Sequence, residues 1–342
     1  MKISIITHQQ SHLWDEYVHM SSVASIYHLS CWADLIKKIF GHDSFQIAGF
    51  EDGKISGVLL LTRLKSPLFG DFMISMPYFN YGGAVGNTPE IEKALMGHAN
   101  NIAKRLNISH IEYRDIQKHE GLPVKIDKVT MLLKLPETEE ALWKSFSSKL
   151  RAQIKRPLKE GVEATIGGME LIEDFYSVFS KNMRDLGTPV YSSNFFREIV
   201  SRFEKNSQII VIKHQQRPVA AAFLIGFNGT LEIPWASSLR EYNHISVNMA
   251  LYWETLRYAI NNRYHTFDFG RCSRDSGTYK FKRQWGATEK QLYWHYWLKD
   301  GGTSLPALNP NNPKYRLAIQ VWKRLPLKVT NLIGPVIVKY LP

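Results

Sequence analysis

The stretch 266–287, TFDFGRCSRDSGTYKFKRQWGA, decides how the rest of the chain is read. Its opening Phe267-Asp268-Phe269 alternates apolar and polar, the period of two that marks a strand, and Gly270 ends it. Four cations follow (Arg271, Arg274, Lys280 and Lys282) among Ser273, Ser276, Thr278 and Tyr279, with Arg283 just beyond and only Asp275 opposing them. A strand that stops and releases a basic, hydroxyl-rich loop presents donors to an anion or a reacting carbonyl. A plain solvated loop has the same composition, so the surrounding chain has to choose between the two.

Upstream of this stretch the chain repeats itself. YHLSCWADLIKKIFG (27–41) has Trp32, Leu35, Ile36, Ile39 and Phe40 at helical spacing, and FQIAGFEDGKISGVLLLTRL (45–64) holds two alternating runs about Asp52-Gly53, a hairpin signal. A strand pair is expected over 70–84, then a helix over 89–106 and a strand over 108–115. After residue 140 a basic helix (139–160) and a helix near 169–186 lead into the same series. YSSNFFREIVSRFEK (191–205) and QIIVIKHQQRPVAAAFLIGF (208–227) repeat the helix and hairpin at an offset of 164, with Tyr27 over Tyr191 and Trp32 over Phe196. A strand (230–236), a helix (246–261) and the strand at 265–269 complete the second copy. Shared element order over this length points to an internal duplication. The expected fold is α/β with mixed sheets, in two domains, 1–138 and 139–304, followed by a basic amphipathic tail, 305–342.

Composition sets the outer bounds. Two cysteines, Cys31 and Cys272, are too few for a disulfide framework, and the twelve histidines are scattered, with no HxH and a single HxxxH spacing, His8 and His12, so no metal site is expected. MKISIITHQQ reads as a first strand rather than a signal peptide, and no apolar run approaches the roughly 20 residues that span a bilayer. A cytoplasmic location follows, free or peripheral at the inner face of the membrane. The net charge of +12 is concentrated in two places: residues 143–159 and residues 301–342 each carry six basic residues and no acid, together the whole excess. That distribution favours an anionic partner: tRNA, a nucleotide-linked lipid or an anionic membrane surface.

Six segments carry a family resemblance: ISMPYFNYGG (74–83), SKLRAQIKRPLKEGVE (148–163), NMRDLGTPV (182–190), WASSLREYNHISVNMALYWE (235–254), FDFGRCSRDSGTYKFKRQWGA (267–287) and LNPNNPKY…WKRLPL (308–327). In these the chain resembles the FemAB-type transferases, which have tandem GNAT-like acyltransferase domains. Among them it looks most like the branch encoded with exosortase and exopolysaccharide systems. The resemblance implies a double-GNAT fold, here without the coiled-coil arm, and an acyltransferase that moves an aminoacyl or acyl group to an amine of a cell-envelope precursor. The donor it implies is aminoacyl-tRNA or acyl-CoA as co-substrate, with no tightly bound cofactor and no DNA partner. A non-catalytic double-GNAT protein that binds an anionic nucleotide- or lipid-linked precursor is the alternative of a different class.

The family's GxYxFKxxFG pattern falls on Gly277 to Gly286. It singles out Phe281 and Lys282, with Tyr279 before them, and Lys282 is the residue it assigns to stabilising negative charge on the reacting carbonyl. If the segment continues as a strand, Lys280 and Lys282 share one face and lower each other's pKa. Arg271 and Arg274 suit phosphate recognition. Trp235, Ser238 and Asn243 are candidate pocket residues before the helix at 246, where the glycines of a pyrophosphate-binding loop are missing from SSLREYNHIS (237–246). In the first copy Tyr78, Asn80 and Tyr81 look like cleft residues, and Lys37 is the nearest match to the family's acceptor-binding lysine.

Overall fold

The computed structural model describes residues 1–66, 70–306 and 313–341. In chain order the strands are β1 Lys2–Ile5, β2 Asp43–Glu51, β3 Lys54–Ser66, β4 Gly70–Ser75, β5 Val85–Gly86, β6 His110–Asp115, β7 Val124–Lys125, β8 Lys128–Lys134, β9 Val162–Gly167, β10 Ser207–His214, β11 Arg217–Phe227, β12 Thr230–Ser238, β13 Thr266–Ser273, β14 Thr288–Gln291 and β15 Tyr293–Leu298. The helices are α1 Ser11–Met20, α2 Cys31–Phe40, α3 Pro89–Arg105, α4 Glu139–Ser145, α5 Ser148–Lys159, α6 Ile172–Leu186, α7 Ser193–Arg202, α8 Val247–Asn261, α9 Gly277–Arg283, α10 Pro313–Trp322 and α11 Leu327–Val338.

Two sheets form, each with mixed pairing. The first runs β1-β2-β3-β4-β6-β15-β7, with β5 beside β3; the second, taken from its other end, runs β9-β10-β11-β12-β13-β8-β14. Position by position the two orders correspond. In both, the third and fourth strands are antiparallel, and the fourth and fifth (β4 with β6, β12 with β13) are parallel. The duplication read from helix and hairpin patterns is therefore present in the sheets.

Each sheet takes its sixth strand from a distant part of the chain. The first compact unit comprises Met1–Val129, Lys290–Ala307 and Tyr340–Pro342; the second comprises Thr130–Glu289 and Leu308–Lys339. The sequence-derived boundaries at 138 and 304 differ from this division because β8 lies beside β13 in the second sheet, while β15 pairs with β6 over six residues in the first. Local pattern marks both as strands and carries no record of the sheet they join.

The cores follow from residue type. In the first unit α3 lays Ile91, Leu95, Ala99 and Ile102 over Ile47, Leu59, Leu61, Met73 and Ile111, all of them buried. In the second, α6 turns Ile172, Phe175, Val178 and Phe179 inward at helical spacing. Phe175, Phe196 and Phe223 meet with ring centroids 4.9 to 5.6 Å apart, mostly edge to face, and each such pair adds about 1 kcal/mol beyond area burial.

Three local expectations change. Residues 70–84 give one strand, not two, because Met76 (φ 54°) and Tyr78 (φ 74°) have left-handed backbone that no strand continues through. The basic helix 139–160 is two helices, with Ser147 capping the second by accepting from Leu150 N. Residues 277–283 are helical rather than extended. Ser276 Oγ accepts from Tyr279 N at 3.1 Å, satisfying an N-terminal amide that a strand would have sent to a neighbour.

Candidate functional site

In the second unit the site is built on the end of β13. Gly270 has φ 73°, a left-handed value that glycine adopts without the Cβ clash, and its N–H donates to Asp268 Oδ1 at 2.8 Å. Thr130 Oγ1 donates to the same oxygen at 2.6 Å. The strand end is thus bent and held before α9 begins. Lys282 is buried, and its Nζ donates to the carbonyls of Gly270 at 2.8 Å and Arg271 at 2.9 Å. An ammonium has three donors, so one N–H is left over from these two. Burial lowers the Lys282 pKa, opposed by the nearby charges of Cys272, Asp268 and Glu232. Glu232 and Asp268 are register partners on the parallel pair β12–β13 and both are buried.

An aromatic wall stands beside the lysine. Phe281 meets Tyr252 edge-on at 4.9 Å, Tyr252 stacks with Phe269 at 5.7 Å, and Trp285 lies 6.2 Å from Phe281. Trp285 is 1% exposed and its Nε1 has no hydrogen-bond partner among the described residues, so a polar donor sits unspent in apolar surroundings. Tyr279 OH donates to Glu289 Oε2 at 2.8 Å, and Arg274 donates to Oε1 of the same carboxylate.

The helix overturns the expected alignment of Lys280 with Lys282. Residues two apart on an α-helix are turned by about 200°; Lys282 points inward and Lys280 is exposed. Arg271 and Arg274 are exposed. Trp235 is half-buried and belongs to the aromatic core, 5.0 Å from Phe196 and nearly perpendicular to it. Ser238 ends β12 opposite Ala220. Asn243 is exposed within the short 3-10 helix Arg240–Ile245. There Tyr242 N donates to Leu239 O and Ser246 N to Asn243 O, so these amides are spent inside the turn.

The first unit contains a second polar site. A pocket of about 40 Å³ is lined by His28, Gly83, Glu92, Arg114, Asp115 and His119, among others. His295 is fully buried; its Nε2 accepts from His119 N at 3.0 Å, which places the proton on Nδ1, donating to Asp115 Oδ2 at 2.8 Å. In the same way Ser25 N donates to His28 Nδ1 at 3.0 Å, leaving His28 Nε2–H to donate to Gly83 O at 3.1 Å. Burial lowers the His28 pKa. The carboxylate of Asp115, with Nε2 of His119 3.6 Å from its Oδ1, raises that of His119. Asp115 Oδ1 is buried without a hydrogen-bond partner and faces Gly83.

Sequence reasoning named Tyr81, which lines this pocket, but missed His28, Glu92, Asp115, His119 and His295 as a group, as it missed Glu232 in the second unit. They come from five separate segments, and the one local signal was Asp115 with His119 four residues on. Tyr78 packs against Phe40 at 4.2 Å and Asn80 is half-buried in the same turn. Lys37 is exposed and paired with Asp43 on the surface. Among the described residues no three His, Cys, Asp or Glu side chains converge as metal ligands.

Two mixed sheets of the same strand order define a tandem GNAT-like protein, and the comparisons with known proteins agree. A family model for the acetyltransferase (GNAT) domain matches residues 144–283, which end just past Lys282. The chain is 24% identical over 240 residues to a lipid II:glycine glycyltransferase of Staphylococcus epidermidis, covering 63% of this chain and 56% of that protein. It is 21% identical over 203 residues to the UDP-N-acetylmuramoylpentapeptide-lysine N(6)-alanyltransferase of Weissella viridescens, covering 58% of each. The chain thus spans little more than half the length of the curated relatives it matches. Its structure superposes on the crystal structure of FemX with a TM-score of 0.66 at 17% identity, over 94% of this chain and all of that one. In sequence and in fold the chain is thus similar to FemAB-like tandem GNAT transferases.

Proposed function

We propose that this protein is an aminoacyltransferase that moves an aminoacyl group from tRNA to an amine of a cell-envelope precursor. The observation that carries the reading is the buried Lys282 ammonium, fixed by Gly270 O and Arg271 O beside an aromatic wall, with one N–H to spare. In the reaction the neutral acceptor amine attacks the ester carbonyl, a C–N bond forms, and negative charge develops on the carbonyl oxygen. A fixed N–H in a water-poor site stabilises that oxygen strongly because it needs no reorganisation when charge develops. The C–O bond to the ribose then breaks, and the proton lost by the amine goes to the departing ribose oxygen. Phe281, Tyr252 and Trp285 keep water from competing as nucleophile. Arg271 and Arg274, on the exposed rim, supply positive charge for the phosphates of donor or acceptor.

A second reading, an acyl-CoA-dependent N-acyltransferase acting on the same class of acceptor, is favoured by the GNAT family match itself. Against it stands the turn before α8, where amides that would approach a pyrophosphate are spent on Leu239 O and Asn243 O. The exosortase-associated branch belongs to the proposal and rests on the sequence motifs; a cytoplasmic workplace belongs to it as the place where charged tRNA is met. The test is purified protein supplied with nucleotide- or lipid-linked muropeptide and either charged tRNA or acetyl-CoA. Loss of the aminoacyl ester that requires acceptor supports the tRNA reading. Acceptor-dependent release of free CoA supports the second, and neither activity with either donor overturns both.

A further inference from the structure

The C-terminal helix α11 has two faces of opposite character. Thr330, Gly334 and Val338, four residues apart, are buried against the second unit. Gly334 makes this seat possible: a Cβ there would lie 2.9 Å from Val190 N and 3.1 Å from Val190 O, so the helix rests backbone to backbone on that segment. The other face is apolar and open. Leu332 is 76% exposed and Val336 60%, with Val329, Ile333 and Ile337 each exposed by more than a third.

At about 100° per residue these five side chains occupy a continuous arc of about 140°. No charged residue interrupts positions 329–338, and Lys328 and Lys339 flank the arc along one edge, one at each end of the helix. The preceding helix α10 exposes Leu317 and Val321, with Arg316 and Arg324 exposed near them. The amphipathic tail also carries Ile319, Trp322, Leu325 and Leu327. Trp322 is buried and Ile319 lies against Gly187, so the open apolar surface belongs chiefly to α11.

We propose that this surface docks on an anionic lipid bilayer, α11 lying flat at the headgroup boundary with its aliphatic arc immersed and the cations against lipid phosphate. The chemistry selects this occupant over two others. A second copy of the chain would bring together two faces whose flanking charges are all positive, since no acid occurs between 301 and 342. A nucleic acid would neutralise the cations but leave the five aliphatics in water. Lipid meets both needs at once. Among the described residues no helix is long and apolar enough to cross a membrane, so the contact is a surface one. The inference stands on this surface and does not depend on the transfer reaction.

The test uses the full chain and vesicles of phosphatidylglycerol with phosphatidylcholine, against phosphatidylcholine alone. Co-sedimentation with the anionic vesicles at low salt is expected to be at least tenfold stronger than with the neutral ones, and to weaken as salt is raised. Leu332→Glu with Val336→Glu, two exposed positions whose change leaves the thermal midpoint alone, is expected to cut binding at least tenfold. Arg316→Glu with Lys328→Glu is expected to remove the preference for anionic lipid. Failure of the wild-type chain to bind anionic vesicles at low salt overturns the proposal, as does equal binding by the Glu pair. So does a concentration-dependent dimer, seen by light scattering, that the Glu pair dissociates.

Discussion

Lys282 Nζ donates to the backbone carbonyl of Gly270 at 2.8 Å, so the lysine singled out by the Phe281-Lys282 motif ties α9 back to the bend at Gly270 in β13. One side chain thus holds the loop and, in the proposed reaction, also meets the ester carbonyl. Lys282→Met keeps most of the volume but strands two buried carbonyls, at a cost of roughly 1–3 kcal/mol each. We expect a clear fall in thermal midpoint together with at least a 100-fold loss of transfer. Lys282→Arg keeps the charge but brings a larger, planar head into a buried site, and should retain the fold better than the activity. Wild-type transfer by Lys282→Met would remove the lysine from the reaction; an unchanged midpoint would remove it from the fold.

Asp268 supports the same bend from beneath, accepting from Thr130 Oγ1 and Gly270 N with one oxygen. Asp268→Ala leaves both donors buried and should destabilise by roughly 2 kcal/mol or more. Combining it with Thr130→Val should cost less than the sum of the two single changes, because the partners are removed together. Denaturant unfolding of the four proteins in the cycle measures this, and strict additivity would show that the bond contributes nothing.

In the first unit a methyl group at Gly83 would lie 1.7 Å from Asp115 Oδ1 and 3.1 Å from the Arg114 carbonyl. Backbone cannot yield as a flexible side chain does. Gly83→Ala should therefore push the carboxylate out of its place beside His295 and destabilise by about 2–4 kcal/mol, as overpacked buried sites do at the severe end. A midpoint within 1 °C of wild type would mean the Asp115 carboxylate moves aside freely.

Much of this was readable from residues alone, and the misses have physical causes. Helix 31–40, the hairpins and the duplicated order followed from period and turn chemistry, which are local. The helix at 277–283 was misread because Tyr279, Lys280, Phe281 and Lys282 alternate like a strand, while the deciding signal was one capping residue, Ser276. The histidine–carboxylate group was illegible because topology, not spacing, brings His28, Asp115 and His295 together: β15 reaches β6 from 180 residues downstream of Asp115.

Two of those histidines should give opposite pH dependence. Burial holds the His28 pKa below 6.5, so below that pH the unfolded chain binds a proton that the folded one refuses, and stability falls as pH drops. His119 is raised above 6.5 by Asp115, so its contribution is complete below 6.5 and is lost as pH rises through its folded value. In urea titrations between about pH 5 and 8, His28→Gln should flatten the acid side of the wild-type stability curve. His119→Gln should be penalised more at the acid end than at pH 8. The same pH slope in both variants as in wild type would mean that neither ring titrates with folding.

The strand exchange makes a prediction about fragments. Residues 1–138 contain every strand of the first sheet except β15, which supplies six paired residues along β6, the fully buried His295, and Tyr296, whose OH donates to buried Glu112. Without β15 the edge of β6 is open, Asp115 loses the His295 N–H and Glu112 loses the tyrosine hydroxyl, leaving Glu112 with Arg114 alone, and the exposed strand edge is prone to aggregation. Expressed alone, 1–138 should therefore be insoluble or unfolded. The same residues to 129, joined by a flexible linker to 290–307, should give a soluble unit with a cooperative thermal transition. A folded, monomeric 1–138 would show that β15 is dispensable, and that the sequence boundary at 138 describes an independent domain after all.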